Sequence, residues 1–221
     1  MTKVDTVIFD MDGLMLDTEK IYYKAGQKTA DAIGMDYSFE IYSQFIGAGD
    51  AQMEAGMREI YDDHELLETF FADSAKEMDH LLLNSQIDLK EGLLELLDYL
   101  QEQEIPAVVA SSTRREMVDQ LLDRLELRKY FKDVVGGDEV PSAKPDPAIF
   151  ELAFSKTGID NKENALILED SKNGIRAAYR ADVPVILVPD MLEPDEEMEE
   201  KTASIETDLH HVIDYIEGNN N

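Results

Sequence analysis

A chain of 221 residues, 43% of them apolar, is long enough to bury a large core in one domain or in two unequal ones. Its 49 Asp and Glu residues against 20 Lys and Arg give a formal net charge of −29, which opposes binding to nucleic acid and to anionic membranes. The lack of cysteine excludes disulfides, thiolate catalysis and cysteine-bound metal.

The N-terminal segment carries no recognisable targeting signal. Residues 1–5 lack the charged stretch and long apolar stretch that a signal peptide requires. No apolar run approaches the roughly 20 residues that span a bilayer. We therefore expect a cytoplasmic protein that binds neither membranes nor nucleic acid.

Short β-rich segments alternate with amphipathic segments along most of the chain. Near-continuous apolar runs predict strands that are covered on both faces, at 4–9, 107–110, 133–135, 165–168 and 183–188. Helical spacing of apolar residues predicts helices at 91–103, from Arg114 onward, and from Pro147 to a stop at Gly158, with Asp146 as N-cap. This succession predicts an α/β fold with a doubly wound, Rossmann-like parallel sheet.

Residues 16–87 interrupt this alternation, because they show helical periodicity and no good strand. Helices are predicted at 21–33, ending at Gly34, and at 39–46, 53–61 and 66–83. We therefore predict an α-helical insertion at 16–87 within a core made of residues 1–15 and 88–221. The acidic run 193–200 predicts a solvated loop or a helix start, and residues 218–221 are expected to fray.

Polar side chains follow four of the predicted strands. The segments are Asp10-Met11-Asp12-Gly13, Ser111-Ser112-Thr113, Ser142-Ala143-Lys144-Pro145 and Glu169-Asp170-Ser171. Ligands of open parallel sheets bind at the carboxyl ends of the strands. We therefore expect carboxylates, hydroxyls and a lysine to meet at one edge of the sheet.

The carboxylates of this group predict a metal site. Gathered ionised carboxylates repel one another unless a cation lies among them, and oxygen ligands suit a hard ion such as Mg²⁺. The candidate ligands are Asp10, Asp12, Glu169 and Asp170. Because Mg²⁺ keeps several waters, Asp10, Asp170 and a backbone carbonyl would suffice. The histidines fall in segments assigned to helices or termini, which argues against a zinc cluster: His64, His80, His210 and His211.

The spacing of Asp10 and Asp12 indicates phosphoryl transfer. Residues two apart in an extended chain point the same way, so both carboxylates can address one phosphorus atom. We predict Asp10 as the nucleophile that forms an aspartyl phosphate, and Asp12 as general acid and base. Hydroxyl and N–H groups of Ser111 and Ser112, with Lys144, would neutralise the phosphoryl oxygens.

A helix N-terminus near Thr113 would add its positive end to the same phosphoryl group. Arg114 is a further candidate for substrate binding, and Lys172 is another nearby cation. The position of each also suits a solvated or structural role.

These motifs resemble those of the haloacid dehalogenase-like hydrolase superfamily, especially the branch similar to β-phosphoglucomutases. The residues that carry the resemblance are Phe9-Asp10-Met11-Asp12-Gly13-Leu14-Met15-Leu16-Asp17-Thr18-Glu19, Ala110-Ser111-Ser112, Lys144-Pro145 and Leu168-Glu169-Asp170-Ser171-Lys172-Asn173-Gly174-Ile175. The resemblance covers nearly the whole chain.

The resemblance implies roles for most of these residues. Asp10 is the implied nucleophile and Asp12 the implied acid and base. Mg²⁺ is implied to bind Asp10, the Asp12 carbonyl and Asp170, with Glu169 acting directly or through water. Ser111 and Lys144 would hold the phosphoryl group. The insertion at 16–87 resembles the cap domain that closes over the site and helps to select the substrate.

A phosphosugar mutase is the nearest alternative. The β-phosphoglucomutase pattern has a His after the first motif and a cap Arg that reads a second phosphate, whereas Tyr22 and Asp50 stand at these places here. An acid at position 50 would repel a second phosphate. We therefore predict a Mg²⁺-dependent phosphatase of small phosphorylated metabolites, such as sugar phosphates. Tyr22 and the loop 47–50 are expected to help set its specificity.

Other activities fit the sequence less well. Asp12 argues against dehalogenation, because a departing halide needs no proton. Phosphonate cleavage needs a cap lysine of low pKa, and nothing singles one out among Lys20, Lys24, Lys28 and Lys76. A non-catalytic module that binds phosphometabolites would have no need of the complete set of catalytic residues. We expect a monomer or a weak homodimer.

Overall fold

The computed structural model describes residues 3–46, 50–191 and 193–220. The chain divides into two compact units. The core unit consists of Met1–Leu16 and Asp88–Asn221, and the helical unit consists of Asp17–Ile87. Within the part of the chain that is described, no helix has both the length and the apolar character needed to cross a membrane.

The core unit is built on a six-stranded sheet in which every neighbouring pair of strands is parallel. The strands are β1 Thr6–Phe9, β2 Ala107–Ser111, β3 Phe131–Gly136, β4 Ala165–Glu169, β5 Val185–Leu187 and β6 Ser204–Ile205. Their order is β3-β2-β1-β4-β5-β6, so β1 lies inside the sheet. The predicted doubly wound α/β fold is confirmed. Strand β6 was not predicted, because two half-exposed residues carry no periodic signal.

Helices are numbered along the chain, and the helical unit holds the first four. These are α1 Glu19–Ile33, α2 Phe39–Ser43, α3 Asp50–Ile60 and α4 His64–Asn84. The predicted stop at Gly34 is confirmed, because Gly34 takes the left-handed conformation at φ 71°. Apolar residues of these helices and their connections form a core that includes Tyr37, Met57, Leu67 and Phe70.

The helices of the core unit cover the sheet. They are α5 Leu93–Glu102, α6 Arg115–Arg124, α7 Ala148–Thr157, α8 Lys172–Arg180, α9 Glu196–Lys201 and α10 Leu209–Asn220. Most of them bury a stripe of apolar side chains at helical spacing, as α5 does with Leu93, Leu96, Leu97 and Leu100, whereas α9 buries Met198 alone. Strands β1, β2, β4 and β5 are buried along their whole length, which accounts for their uninterrupted apolar runs.

Two local predictions need correction. Helix α7 begins one residue later than predicted, with Pro147 as N-cap, and the Asp146 carboxylate accepts a hydrogen bond from Ala148 N at 3.0 Å. Residues 218–220 belong to α10 instead of fraying. Asn220 anchors this end, because its Oδ1 accepts from Val4 N at 2.7 Å and its Nδ2 donates to Val4 O at 3.2 Å.

Candidate active site

The ends of three adjacent strands bring the candidate catalytic residues to one edge of the sheet. Strands β1 and β4 are in register from Thr6 opposite Ala165 to Phe9 opposite Leu168. Asp10 therefore leaves β1 level with Glu169, the last residue of β4, and its N–H donates to Leu168 O at 3.0 Å. On the other side of β1, strand β2 ends at Ser111.

Lys144 links two of these strand ends. Its side chain is only 6% exposed, and its ammonium donates to Asp10 Oδ1 and, at 2.6 Å, to Glu169 Oε1. The ammonium also lies 4.7 Å from the centre of the Phe150 ring. Burial on its own lowers the pKa of Lys144. The charges of Asp10 and Glu169 raise it by more than burial lowers it, so the net shift is upward. Lys144 is thus a fixed positive charge between two buried carboxylates.

Asp10 lies in an environment that disfavours its ionised form. Burial raises the pKa of Asp10 to about 8, with Lys144 opposing the shift and the carboxylates of Glu169 and Asp12 adding to it. A carboxylate in such a place is readily stabilised by a further cation. The electrostatics of the site therefore favour an added positive charge beside Asp10.

Hydroxyl groups from the end of β2 hold Asp12. Ser111 Oγ donates to Asp12 Oδ2 at 3.1 Å, and Thr113 Oγ1 donates to the same oxygen at 2.9 Å. Ser111 Oγ in turn accepts from Thr113 N at 3.0 Å. The sequence prediction used Thr113 only as the approximate start of a helix. Its position two residues after Ser111 is the signal that could have identified its hydroxyl.

Glu169 is buried completely, and donors from the chain occupy both of its oxygens. Oε1 accepts from Lys144, while Oε2 accepts from Asp170 N at 3.0 Å and Ser171 N at 2.9 Å. A Cβ on Gly174 would lie 1.7 Å from Oε1, so only glycine leaves room for this carboxylate at the start of α8. The position of Glu169 is therefore set by the turn that follows β4.

Asp170 lies against the turn that follows β1. Its Oδ2 is 2.2 Å from the place where a Cβ on Gly13 would stand, and Gly13 has φ +83°. Glycine at position 13 thus serves both a left-handed backbone and the space for the Asp170 carboxylate.

The sequence prediction missed two charged residues beside this turn. Asp190 Oδ2 lies 3.4 Å from the same point above Gly13, and Asp190 Oδ1 accepts from Lys90 Nζ at 2.5 Å. Asp190 follows β5 by three residues. Its place shortly after a strand, like those of the other candidate residues, is the signal that could have identified it.

The donor chemistry of this edge fits Mg²⁺. Among residues 3–46, 50–191 and 193–220, no group of three or more Asp, Glu or His side chains is assembled as a metal cluster. Magnesium, however, needs only one or two carboxylates, and fills its other positions with carbonyl oxygens and waters. Asp10, Asp170 and the Asp12 carbonyl offer such oxygens, and the cradle above Gly13 is kept open for Asp170.

The remaining predicted residues are described by their burial and their positions on the helices. Tyr22 is a half-buried residue of α1 that packs on the core of the helical unit. Arg114 is exposed at the N-cap of α6, and Ser112 is exposed beside it. Lys172 pairs with Asp195, and with Glu197 as well, which indicates a structural role. Of the predicted specificity loop, residues 47–49 and the side chain at position 50 lie outside the described residues.

Comparisons with known proteins identify the family of this chain. Residues 7–188 match the profile of the family described as "Haloacid dehalogenase-like hydrolase". The chain is 30% identical over 180 residues to the phosphorylated carbohydrates phosphatase of Thermotoga maritima, covering 81% of this chain and 82% of that one. It is 34% identical over 195 residues to a Drosophila melanogaster protein named "Probable pseudouridine-5'-phosphatase", with 86% and 84% covered.

A solved structure shares the fold. CbbY from Rhodobacter sphaeroides, in complex with phosphate, superposes with a TM-score of 0.80 at 23% identity, covering 95% of this chain and 96% of that one. The profile match extends over most of the chain, from within β1 to just beyond β5. The chain therefore belongs to the haloacid dehalogenase-like hydrolase family.

Proposed function

We propose that this protein is a Mg²⁺-dependent phosphatase that hydrolyses small phosphorylated metabolites, such as sugar phosphates, through an aspartyl phosphate on Asp10. The observation that carries the proposal is the pairing of two differently held carboxylates at one strand end. Asp10 is buried against Lys144, whereas Asp12 is held by the hydroxyls of Ser111 and Thr113. Relatives named as phosphatases of phosphorylated carbohydrates and of pseudouridine 5'-phosphate support the substrate class.

In the first step, an oxygen of Asp10 attacks phosphorus and the bond from phosphorus to the substrate's alcohol oxygen breaks. Asp12 gives a proton to that departing oxygen, so the alcohol leaves neutral. The hydroxyl groups of Ser111 and Thr113 donate to Asp12 Oδ2 and so hold this carboxyl group in place. Two carboxyl groups with separate tasks are thus placed on one turn.

In the second step, Asp12 takes a proton from water, whose oxygen attacks phosphorus. The bond between phosphorus and Asp10 breaks, which releases inorganic phosphate and restores the carboxylate. Ser111, the backbone near Ser112 and Lys144 would hold the phosphoryl oxygens during both steps. Lys144 is suited to this because its charge is fixed in place by Asp10 and Glu169.

Asp10, Asp170 and the carbonyl of Asp12 would hold Mg²⁺. When bound, the ion neutralises phosphoryl charge and favours the ionised form of Asp10. Glu169 would act indirectly, since its oxygens already accept from Lys144 and from the turn at Asp170 and Ser171.

We assign the helical unit, residues 17–87, to the role of a cap that selects the substrate, with Tyr22 as one contact. Phosphonate cleavage is disfavoured by the lysines of this unit. A Schiff-base lysine needs a lowered pKa, usually from burial. The side chains of Lys20, Lys28 and Lys76 are 74%, 61% and 77% exposed, and each pairs with a carboxylate.

The test is phosphate release from aryl and sugar phosphates, with Mg²⁺ and with EDTA, by the wild type and by Asp10→Asn and Asp12→Asn. We expect metal-dependent turnover that Asp10→Asn abolishes. Loss of Asp12 should slow a poor leaving group by roughly 10²–10⁴-fold, and an activated aryl phosphate by much less. Asp160→Asn, at an exposed position of the core unit, is the matched control and should leave turnover unchanged.

Three results would count against the proposal. Equal turnover in EDTA would show that the reaction does not require Mg²⁺. Persistent turnover by Asp10→Asn would show that Asp10 is not the nucleophile. Interconversion of glucose 1-phosphate and glucose 6-phosphate with a bisphosphate activator would instead identify a mutase.

A further inference from the structure

Asp190 presents an unexplained carboxylate oxygen in the core unit. Its Oδ2 is inaccessible to solvent and has no hydrogen-bond donor among residues 3–46, 50–191 and 193–220, and the side chain as a whole is 12% exposed. Buried polar atoms are nearly always hydrogen-bonded, because an unmet acceptor loses its hydration without replacement. A buried acceptor in this condition indicates that a hydrogen-bond donor binds there.

The position of this oxygen points to the candidate metal site. Asp190 Oδ2 lies 3.4 Å from the Cβ position above Gly13, and Asp170 Oδ2 lies 2.2 Å from the same point. Two carboxylates so close together repel unless a cation or a proton donor lies between or beside them. Asp170 is one of the residues that we propose as metal ligands, so the donor that Asp190 lacks belongs at that site.

Lys90 fixes the direction of the Asp190 carboxylate. Its ammonium donates to Asp190 Oδ1 at 2.5 Å, and its backbone N–H donates to Met15 O at 2.9 Å. The lysine is therefore tied to the turn that begins at Asp10. With Oδ1 held by Lys90, Oδ2 faces Gly13 and Asp170, and the carboxylate has little freedom to turn away.

We propose that Asp190 is a positioning residue of the metal site, with Oδ2 accepting a hydrogen bond from a water bound to the ion, while Lys90 holds the carboxylate in that orientation. This inference rests on the proposed Mg²⁺-dependent function. Residues that bond to ligands of a metal typically change its affinity by about 10- to 100-fold when they are replaced. Asp190 is therefore expected to affect metal affinity without touching the substrate.

The test compares Mg²⁺ binding by isothermal titration calorimetry in wild type, Asp190→Asn and Glu193→Gln. We expect Asp190→Asn to weaken Mg²⁺ binding by about 10- to 100-fold. Glu193→Gln removes the same charge from an exposed position nearby and should bind as the wild type does. Lys90→Arg, which retains a charged donor for Asp190, should remain close to wild type, whereas Lys90→Met should resemble Asp190→Asn.

Thermal unfolding separates positioning from simple structural support. The amide of Asp190→Asn can donate toward Asp170, so the melting temperature of the metal-free variant should equal or exceed that of the wild type. Adding Mg²⁺ should raise the melting temperature of the variant by less than it raises that of the wild type. A lower melting temperature without metal, together with an unchanged Mg²⁺ affinity, would overturn the inference. Failure of the wild type to bind Mg²⁺ would instead overturn the proposed function.

Discussion

Replacing Lys144 by Met should make the stability of the metal-free protein strongly dependent on pH. Lys144 is the cation shared by Asp10 and Glu169, whose side chains are 9% and 0% exposed. Methionine is close to lysine in size but leaves both carboxyl groups without their cation. Because the pKa of Asp10 is about 8 in the metal-free protein, Asp10 already carries a proton at lower pH. The folded variant can therefore avoid an unpaired charge on buried Glu169 only by binding one proton more than the wild type.

The magnitude follows from the proton that must be bound. The carboxyl group has a pKa of about 4.3 in the unfolded chain. Keeping it protonated in the folded state costs about 1.4 kcal/mol for each pH unit above that value. The expected loss is about 1.7 kcal/mol at pH 5.5 and about 4.5 kcal/mol at pH 7.5. The second figure agrees with the roughly 3–5 kcal/mol found when one partner of a buried ion pair is removed. Because the folded state binds the extra proton, stability falls as pH rises.

Urea unfolding in EDTA, followed by far-ultraviolet circular dichroism at both pH values, measures this loss. Lys76→Met is the matched control, since the pair of Lys76 with Asp73 is on the surface at 77% and 48% exposure. It should cost at most about 1 kcal/mol at either pH. An equal loss for Lys144→Met at pH 5.5 and pH 7.5 would refute the reasoning, because the buried carboxyls would then not be taking up a proton.

Three further outcomes are expected. Because burial raises the pKa of Asp10 to about 8, Mg²⁺ binding at pH 7 should release a proton and should tighten as pH rises toward 8. Calorimetry measures the affinity at each pH, and its use in buffers of different ionisation enthalpy measures the released proton. Gly13→Ala should weaken Mg²⁺ binding at least tenfold, because its Cβ would collide with the Asp170 carboxylate. Gly34→Ala is the control: it has open space around its Cβ and should cost only about 1–2 kcal/mol of folding stability through backbone strain. Thr113→Val should lower kcat for poor leaving groups by about tenfold through the loss of its bond to Asp12, and Thr113→Ser should restore it; equal rates for both variants would contradict that role.

Much of the core unit could be predicted, because its buried strands and amphipathic helices leave strong local patterns. Strand β1 reads as an apolar run that ends at an aspartate, and α7 ends at a glycine that takes a left-handed conformation. Strand β6 could not be predicted, since it consists of two residues that owe their conformation to pairing with β5. The ordered end of α10 likewise depends on Asn220 and its distant partner Val4.

The candidate site was predictable where its residues follow strands directly, as Asp10 and Glu169 do. The structure adds what local pattern does not contain: which donor meets which acceptor. Lys144 reaches Asp10 across 134 positions of sequence, and Lys90 reaches Asp190 across 100. Such pairings are decided by the order of strands in the sheet, and they become visible only when the chain is folded.

The interior position of β1 has a consequence for how the chain is made. Strand β1 leaves the ribosome before its neighbours β2 and β4, which begin at Ala107 and Ala165. Strand β1 must therefore remain unpaired while the helical insertion is synthesised, and it gains its second neighbour only after much of the second half of the chain has followed. Pairings over such long stretches of sequence form slowly and leave apolar edges exposed to other chains.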